Sequence, residues 1–288
     1  MRPHDFFLGR GVVITGAASG IGEALARALA TRGARLLLAD VDAQRLHALA
    51  GELRAQGANC HAQATDVAQA AQVQALAHRA AQLWGAADIV VNNAGVALIA
   101  PVQSLDEADA RWLMDINFWG VVHGCRAFAP QLAGRPGALL VNVSSVFAFV
   151  SMPTQSIYNA AKAAVRAFSD ALREELRPAG VGVLCVHPGG VRTRIAEQAR
   201  LGDISALADS PAQLHAQFTQ SAITSSEQAA QALARAIERG DTRLLIGIDA
   251  RLGDWMFRLA PARASAWFAA LARRRRARQR RQSTRSER

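Results

Sequence analysis

The chain contains one tyrosine and one lysine, and they stand four residues apart. Tyr158 and Lys162 close the run Ser156-Ile157-Tyr158-Asn159-Ala160-Ala161-Lys162, while elsewhere the strong cation is always arginine and the large aromatic always phenylalanine or tryptophan. Four residues is about one helical turn, so on a helix both side chains share a face. A phenol beside an ammonium is suited to proton transfer. The cation favours phenolate and is expected to bring the phenol's pKa down from about 10 toward the working pH. Tyr158 is therefore a candidate general acid/base, with Lys162 as its electrostatic partner.

A second constellation lies near the N-terminus. The apolar run Gly11-Val12-Val13-Ile14-Thr15 leads directly into Gly16-Ala17-Ala18-Ser19-Gly20-Ile21-Gly22 and then a helical pattern. Glycines there allow a tight turn and a close approach of a pyrophosphate, whose charge then sits at the helix N-terminus. Gly16, Ser19, Gly20, Ile21 and Gly22 are the candidate contacts. Their spacing is wider than the six-residue dinucleotide fingerprint, so the placement between strand and helix carries the reading. Asp40 ends the second apolar run, 24 positions after Gly16. A carboxylate there can accept from ribose hydroxyls and repels a 2′-phosphate. Ser19 brings no cation for such a phosphate. NAD is the expected cofactor, with NADP disfavoured. Asp42 and Arg45 read as solvated residues at a helix start.

These groups need a scaffold. Apolar runs without alternation occur at Gly11–Thr15, Arg35–Ala39, Ala87–Val91, Ala138–Val143, Val181–Val186 and Arg243–Gly247, with helical stretches such as Ala24–Thr31 and Gln44–Ala55 between them. Strands of that kind belong to a parallel sheet covered on both faces. The expected fold is α/β: a single doubly wound, Rossmann-type domain with a parallel sheet of about seven strands. No linker or internal repeat divides the chain.

Composition narrows the function classes. The chain has 288 residues, of which 51% are hydrophobic, ample for a large core. Cys60, Cys125 and Cys185 are too far apart for a disulfide framework or a zinc site, which points to a reducing cytoplasm. Histidines 4, 47, 61, 78, 123, 187 and 215 show no ligand spacing, so no metal is expected. No secretory leader pattern opens the sequence, and no run reaches the roughly 18 apolar residues of a membrane span. The net charge of +10 is local: residues 273–288 hold nine arginines and one glutamate, leaving +2 for residues 1–272. Nucleic acid is a poor partner for this tail, which has no interleaved aromatics to stack bases; anionic membrane is the better one.

With these residues in place, the sequence closely resembles the short-chain dehydrogenase/reductase family from about residue 10 to 250. Thr15-Gly16-x-x-x-Gly20-x-Gly22 is similar to its cofactor loop, Asp66-Val67 to the pair beside the adenine, and Asn92-Asn93-Ala94-Gly95 to its N-N-A-G motif. Asn117 and Ser145 stand at the positions of its active-site Asn and Ser, Tyr158-x-x-x-Lys162 at its catalytic pair, and Pro188-Gly189-x-Val191-x-Thr193 at the segment that closes over the nicotinamide. His187 and Ala161 depart from common family residues without removing a needed group. The resemblance implies an oxidoreductase that moves hydride between NAD and a secondary alcohol or ketone, as a homodimer or homotetramer. It assigns Tyr158 proton transfer, Lys162 the ribose hydroxyls, Ser145 the substrate oxygen, and Asn117 a water linking Lys162 to solvent. Asn93, Ala94, Gly95, Pro188, Gly189, Val191 and Thr193 would line the cofactor. The alternatives are a cofactor sensor on the same fold, against which intact Ser145, Tyr158 and Lys162 count, or a dehydrogenase recruited to membranes where a lipid or sterol substrate dissolves.

Around this centre, Phe147, Phe149 and Met152 are expected to line an apolar substrate pocket, and Ser144 to support a strand end. Residues 192–222, with Ile195, Leu201, Ile204, Leu207 and Phe218, suit an apolar lid. Thr224-x-x-Glu227 reads as a capping box opening a helix over Gln228–Arg239. The expected division is a catalytic domain to residue 250, an apolar helical extension over 251–272 and an Arg-rich tail, expected to be disordered, over 273–288. In the extension, Leu252, Trp255, Met256, Leu259, Trp267, Phe268 and Leu271 recur at helical spacing, interrupted by Gly253 and Pro261, and are expected to pack on the domain or a second subunit; the alternative is a membrane interface, with Trp and Phe on one side and Arg beyond.

Overall fold

The structure is a computed structural model and describes residues 6–204 and 210–271. Leu207, the side chain of Phe218 and the arginine run from Arg273 lie outside the described residues.

The apolar runs become strands because both of their faces are covered. Strands β1 (Gly11–Thr15), β2 (Arg35–Asp40), β3 (Cys60–Ala64) and β4 (Ile89–Asn92) are joined by helices α1 (Gly20–Ala30), α2 (Ala43–Ala55) and α3 (Ala70–Trp84). A two-residue strand β5 (Leu98–Ile99) follows, then α4 (Glu107–Met114), a widened π-type turn (Asp115–Trp119) and α5 (Gly120–Leu132). Strand β6 (Leu139–Val143), helix α6 (Ser156–Leu176) and strand β7 (Gly182–Pro188) complete the centre. Then come β8 (Arg200–Leu201), α7 (Pro211–Ser221), α8 (Ser226–Arg239), β9 (Arg243–Ile246) and α9 (Ile248–Leu259); residues 261–271 form a further helix, α10.

Seven strands form one parallel sheet in the order β3-β2-β1-β4-β6-β7-β9. Helices α1, α2 and α8 bury their apolar stripes against one face, around Ile14, Leu36 and Val141. Helices α3, α5 and α6 cover the other, around Val13, Val90 and Leu140. The order reverses between β1 and β4, so their outgoing chains part to opposite faces and leave a crevice at the carboxyl ends.

Several local expectations need correction. β3 has no apolar run, because Cys-His-Ala-Gln-Ala lies at the sheet edge and is held by backbone pairing to β2 alone. α1 starts at Gly20 rather than Ala24, since the last glycines are already helical. The capping box is one residue later than read: the Ser225 hydroxyl accepts from Gln228 N, and the Gln228 side chain accepts from Ser225 N. Thr224 instead bridges to Val191. The 192–222 segment, which lacks regular strand signals in its sequence, contains the two-residue strand β8, which pairs in parallel with β5. Gly253 lies inside α9, where its missing side chain lets the helix meet Val146; Pro261 opens α10, where its absent N–H is not needed.

A buried amide chain ties the sheet to α6. Asn92 Nδ2 donates to Asn142 Oδ1 at 2.9 Å, Asn142 Nδ2 to Ser169 Oγ at 3.0 Å, and Ser169 Oγ to Val165 O at 2.7 Å. Gly124 of α5 packs so closely on Asn92 that an added methyl would land on its amide oxygen. Gly124→Ala is therefore expected to lower stability by about 1–3 kcal/mol through overpacking. Gly51, within α2 and surrounded by open space, should show the opposite sign: Gly51→Ala should raise stability by up to about 1 kcal/mol. Chemical denaturation midpoints of the two variants check both signs.

Candidate active site

The crevice is built by the contact between the β1–α1 loop and the segment after β4. Thr15 Oγ1 accepts from Asn93 N at 3.0 Å and from Ala94 N at 3.1 Å, and the Asn93 side-chain amide donates to Thr15 O and Gly16 O at 2.9 and 3.0 Å. Gly16 has φ +63°, and a Cβ there would lie 2.7 Å from Ala94 Cα. A Cβ at Gly22 would strike Gly16 O. Ser19 is extended and does not cap α1 with its side chain, so the first-turn N–H groups face the crevice. Asp40 supports this loop: Oδ2 accepts from Ala18 N at 2.9 Å and Oδ1 from Asp42 N at 3.0 Å. Asp42 caps α2 by accepting from Arg45 N.

A cavity of about 250 Å³ in this crevice gathers nearly every expected cofactor contact. Gly16, Ser19, Gly20, Ile21, Asp40, Asp66, Val67, Asn93, Ala94, Gly95, Pro188, Gly189, Val191 and Thr193 all line it, together with Ser145, Tyr158 and Lys162. Val67 is seated by Gly120, whose added Cβ would lie 2.8 Å from it, and its carbonyl is 3.0 Å from His123 Nδ1. The glycine cradle, the uncapped helix N-terminus and the carboxylate at the strand end fit a dinucleotide.

Tyr158 and Lys162 share a face of α6, one turn apart, as expected. Lys162 is buried; its Nζ donates to Val143 O at 3.1 Å, and its own carbonyl accepts from Ser144 Oγ at 2.7 Å. Ser144 therefore supports the strand end and pins α6, as read. The Tyr158 phenol is hydrogen-bonded to Ser145, whose Oγ also accepts from Phe147 N at 3.1 Å. The expected shift of the phenol does not occur. Burial pushes Tyr158 up to about 12, against the opposing pull of the Ser145 hydrogen bond. Burial likewise pushes the Lys162 ammonium down to about 8. The ammonium lies 5.7 Å from the phenol ring's centroid and bonds a carbonyl instead, so loss of hydration outweighs attraction.

Asn117 sits buried in the π-type turn and pairs with one residue through both ends of its amide: Nδ2 donates to Val96 O at 2.9 Å, and Oδ1 accepts from Val96 N at 2.8 Å. It reaches the centre through Gly95, where a Cβ would lie 3.1 Å from Asn117 Oδ1 and 3.4 Å from Lys162 Nζ. His187 is buried against Phe149, with Nδ1 3.3 Å from Ser145 O, and burial pushes it down to about 4.

A second cavity, about 890 Å³, adjoins the first. Ser145 and Tyr158 line both. Its wall includes Ile99, Val146, Phe147, Met152, Ile195, Leu252, Phe268 and Leu271, with Gln155 and Asp249 and the charged side chains of Glu23, Arg45, Arg192, Arg194 and Glu197 as further polar groups. Phe147 and Met152 thus line the cavity, whereas Phe149 packs into the interior against His187 and Phe257. Of the lid residues, Ile195 lines both cavities, while Leu201 and Ile204 pack on Ile99 and Leu214.

Asp249 was not foreseen. Its Oδ2 accepts from Gly190 N at 2.5 Å, and its carboxylate fills the space a Cβ of Gly189 would need. It so ties the start of α9 to the Pro188–Thr193 segment. No local motif marks it, because the two ends are 59 residues apart in sequence. Val96 and Val143, which engage Asn117 and Lys162 through their backbones, were also invisible, since any residue type can offer those groups.

The family description short chain dehydrogenase matches residues 10–203. The chain is 38% identical over 257 residues to the oxidoreductase SadH of Mycobacterium tuberculosis, covering 88% of this chain and 91% of that protein. It is 37% identical over 190 residues to the oxidoreductase UcpA of Escherichia coli, covering 66% and 72%. Among solved structures, a short chain dehydrogenase/reductase from Burkholderia phymatum in complex with NAD superimposes with a TM-score of 0.77 at 35% identity, covering 88% of this chain and 95% of that one. An alcohol dehydrogenase from Thermococcus sibiricus complexed with 5-hydroxy-NADP gives 0.69 at 27%, covering 83% and 94%. Fold, motif order and these likenesses agree, and the chain belongs to the short-chain dehydrogenase/reductase family of oxidoreductases.

Proposed function

We propose that the chain is an NAD-dependent oxidoreductase of fairly apolar secondary alcohols or ketones; when bound, the nicotinamide carries the hydride and the protein handles the proton. The observation that carries this reading is that Ser145 and Tyr158 stand in the wall common to the two cavities, one suited to the dinucleotide and the larger lined mainly by apolar side chains. A substrate oxygen reaching that wall meets two hydroxyls. Ser145 donates to it and stabilises developing negative charge; Tyr158 takes its proton during oxidation or returns one during reduction. Lys162 holds a positive charge beside the phenol and would engage the nicotinamide ribose. Asn117 fixes the Val96 backbone beside Lys162, and the family role of ordering a proton-carrying water is proposed for it. Leu252, Phe268 and Leu271 support the 251–272 extension as a wall of the substrate cavity.

Tyr158→Phe keeps the ring and removes only the proton donor. Turnover should fall by about 10²–10⁴-fold while NAD affinity stays within a few-fold. Steady-state kinetics and NAD titration separate the two; retained turnover would place the acid/base elsewhere.

The raised phenol sets a direction for pH dependence. Oxidation needs phenolate, which is scarce below a pKa near 12 and grows about tenfold per pH unit. Oxidation kcat/KM should therefore climb with pH from neutral to about 8, above which Lys162 loses the charge that favours phenolate, whereas reduction, which needs the protonated phenol, should not rise. A flat oxidation profile would remove Tyr158 from the base role.

Asp40 supports NAD over NADP, because its carboxylate lines the cavity suited to the dinucleotide and would repel a 2′-phosphate there. Asp40→Asn retains an acceptor for Ala18 N–H and deletes the charge. The native enzyme should favour NAD by about tenfold or more in kcat/KM, and the variant should narrow that ratio. Equal native values for the two cofactors would refute the assignment.

A further inference from the structure

Helices α9 and α10 have two contrasting faces. One packs on the domain: Ala250, Met256 and Ala264 are buried with Val146 and Val150. The other is bare. Ile248, Trp255 and Leu259 are 70, 59 and 62% exposed along α9, and Trp267 on α10 is 45% exposed. Arg251, Arg258 and Arg263 are exposed among them. Only Arg258 has a carboxylate against it among the described residues, Asp254 at 3.0 Å. After Leu271 the sequence passes within two residues into the nine-arginine segment of net charge +8.

We propose that this face of α9 and α10 docks reversibly on an anionic lipid bilayer, with Trp255, Leu259 and Trp267 entering the interface and the arginines meeting the headgroups. Tryptophan and leucine ringed by arginine is the chemistry of an interfacial helix. A second copy of the chain fits less well, since an isologous contact would bring this face, with Arg251, Arg258 and Arg263, against its own like-charged copy. The same helices supply Ile248, Leu252, Phe268 and Leu271 to the large cavity, so docking sets its rim toward the bilayer. That consequence rests on the oxidoreductase reading above; the docking itself does not.

The test uses the full chain with vesicles of phosphatidylcholine alone or with phosphatidylserine, some carrying brominated acyl chains. At low salt the protein should sediment at least about tenfold more with phosphatidylserine vesicles, be released by high salt, and show tryptophan quenching by the brominated lipid. Trp255→Gln/Trp267→Gln should lose most of the quenching and weaken sedimentation, and Arg251→Gln/Arg263→Gln should weaken sedimentation, with circular dichroism and melting temperature unchanged in both. No sedimentation would overturn the proposal. Sedimentation without quenching would reduce it to adsorption by the arginine segment and overturn the docking face. Concentration-dependent self-association that the tryptophan variant abolishes would assign the face to a second copy. None of these readouts involves turnover, so an inactive enzyme would leave them interpretable.

Discussion

The crevice depends on how closely the turn after β1 approaches the turn after β4. At the point where strand order reverses, the two chains leave to opposite faces and their backbone polar groups lose sheet partners. Thr15 and Asn93 supply those partners to one another, through a hydroxyl that accepts two N–H groups and an amide that donates to two carbonyls. The contact is close enough to exclude a Cβ at Gly16 and Gly22. Bound in this way, the loop leaves the N-terminus of α1 open toward the cavity, and Asp40 holds the loop from its other side. Asn93 thus earns its place in the motif first as a strut and second as a wall.

The centre sits one layer deeper and trades hydration for position. Lys162 is 3% exposed, and the burial that lowers its affinity for a proton also raises that of Tyr158. An ammonium and a phenol side by side in water would drift toward phenolate; here desolvation dominates both. What the protein supplies instead is fixed geometry. Ser144 holds the Lys162 carbonyl, Val143 holds its ammonium, and Ser145 holds the phenol. All three stand at the end of β6, just before the single 3₁₀ turn Val146–Ala148, so the strand end acts as a template against which α6 is aligned.

The C-terminal helices show how one stripe can serve two ends. Seven apolar residues at helical spacing do not by themselves say which neighbour covers them. Gly253 admits Val146 and draws one side of α9 onto the domain, leaving Trp255 and Leu259 turned outward. Asp249, at the start of the same helix, carries its position to the Gly189–Gly190 turn.

The sequence by itself determined the sheet and the names of the groups that meet in the crevice. The unbroken apolar runs of β1, β2, β4, β6, β7 and β9 announce strands covered on both faces, and motif spacing places Gly16, Ser145, Tyr158 and Lys162 because local geometry fixes what a tight turn or a helical turn brings together. It missed β3, whose strand character comes from pairing with β2 rather than from its own residues. It placed the capping box at Thr224 because two overlapping patterns compete and only the folded backbone chooses Ser225. Tertiary structure alone decided the sign of the Tyr158 shift, the inward turn of Phe149, the role of Asp249 and the exposure of Trp255. Each depends on what arrives from elsewhere in the chain to displace water or accept a hydrogen bond, and no periodicity in the local sequence records that arrival.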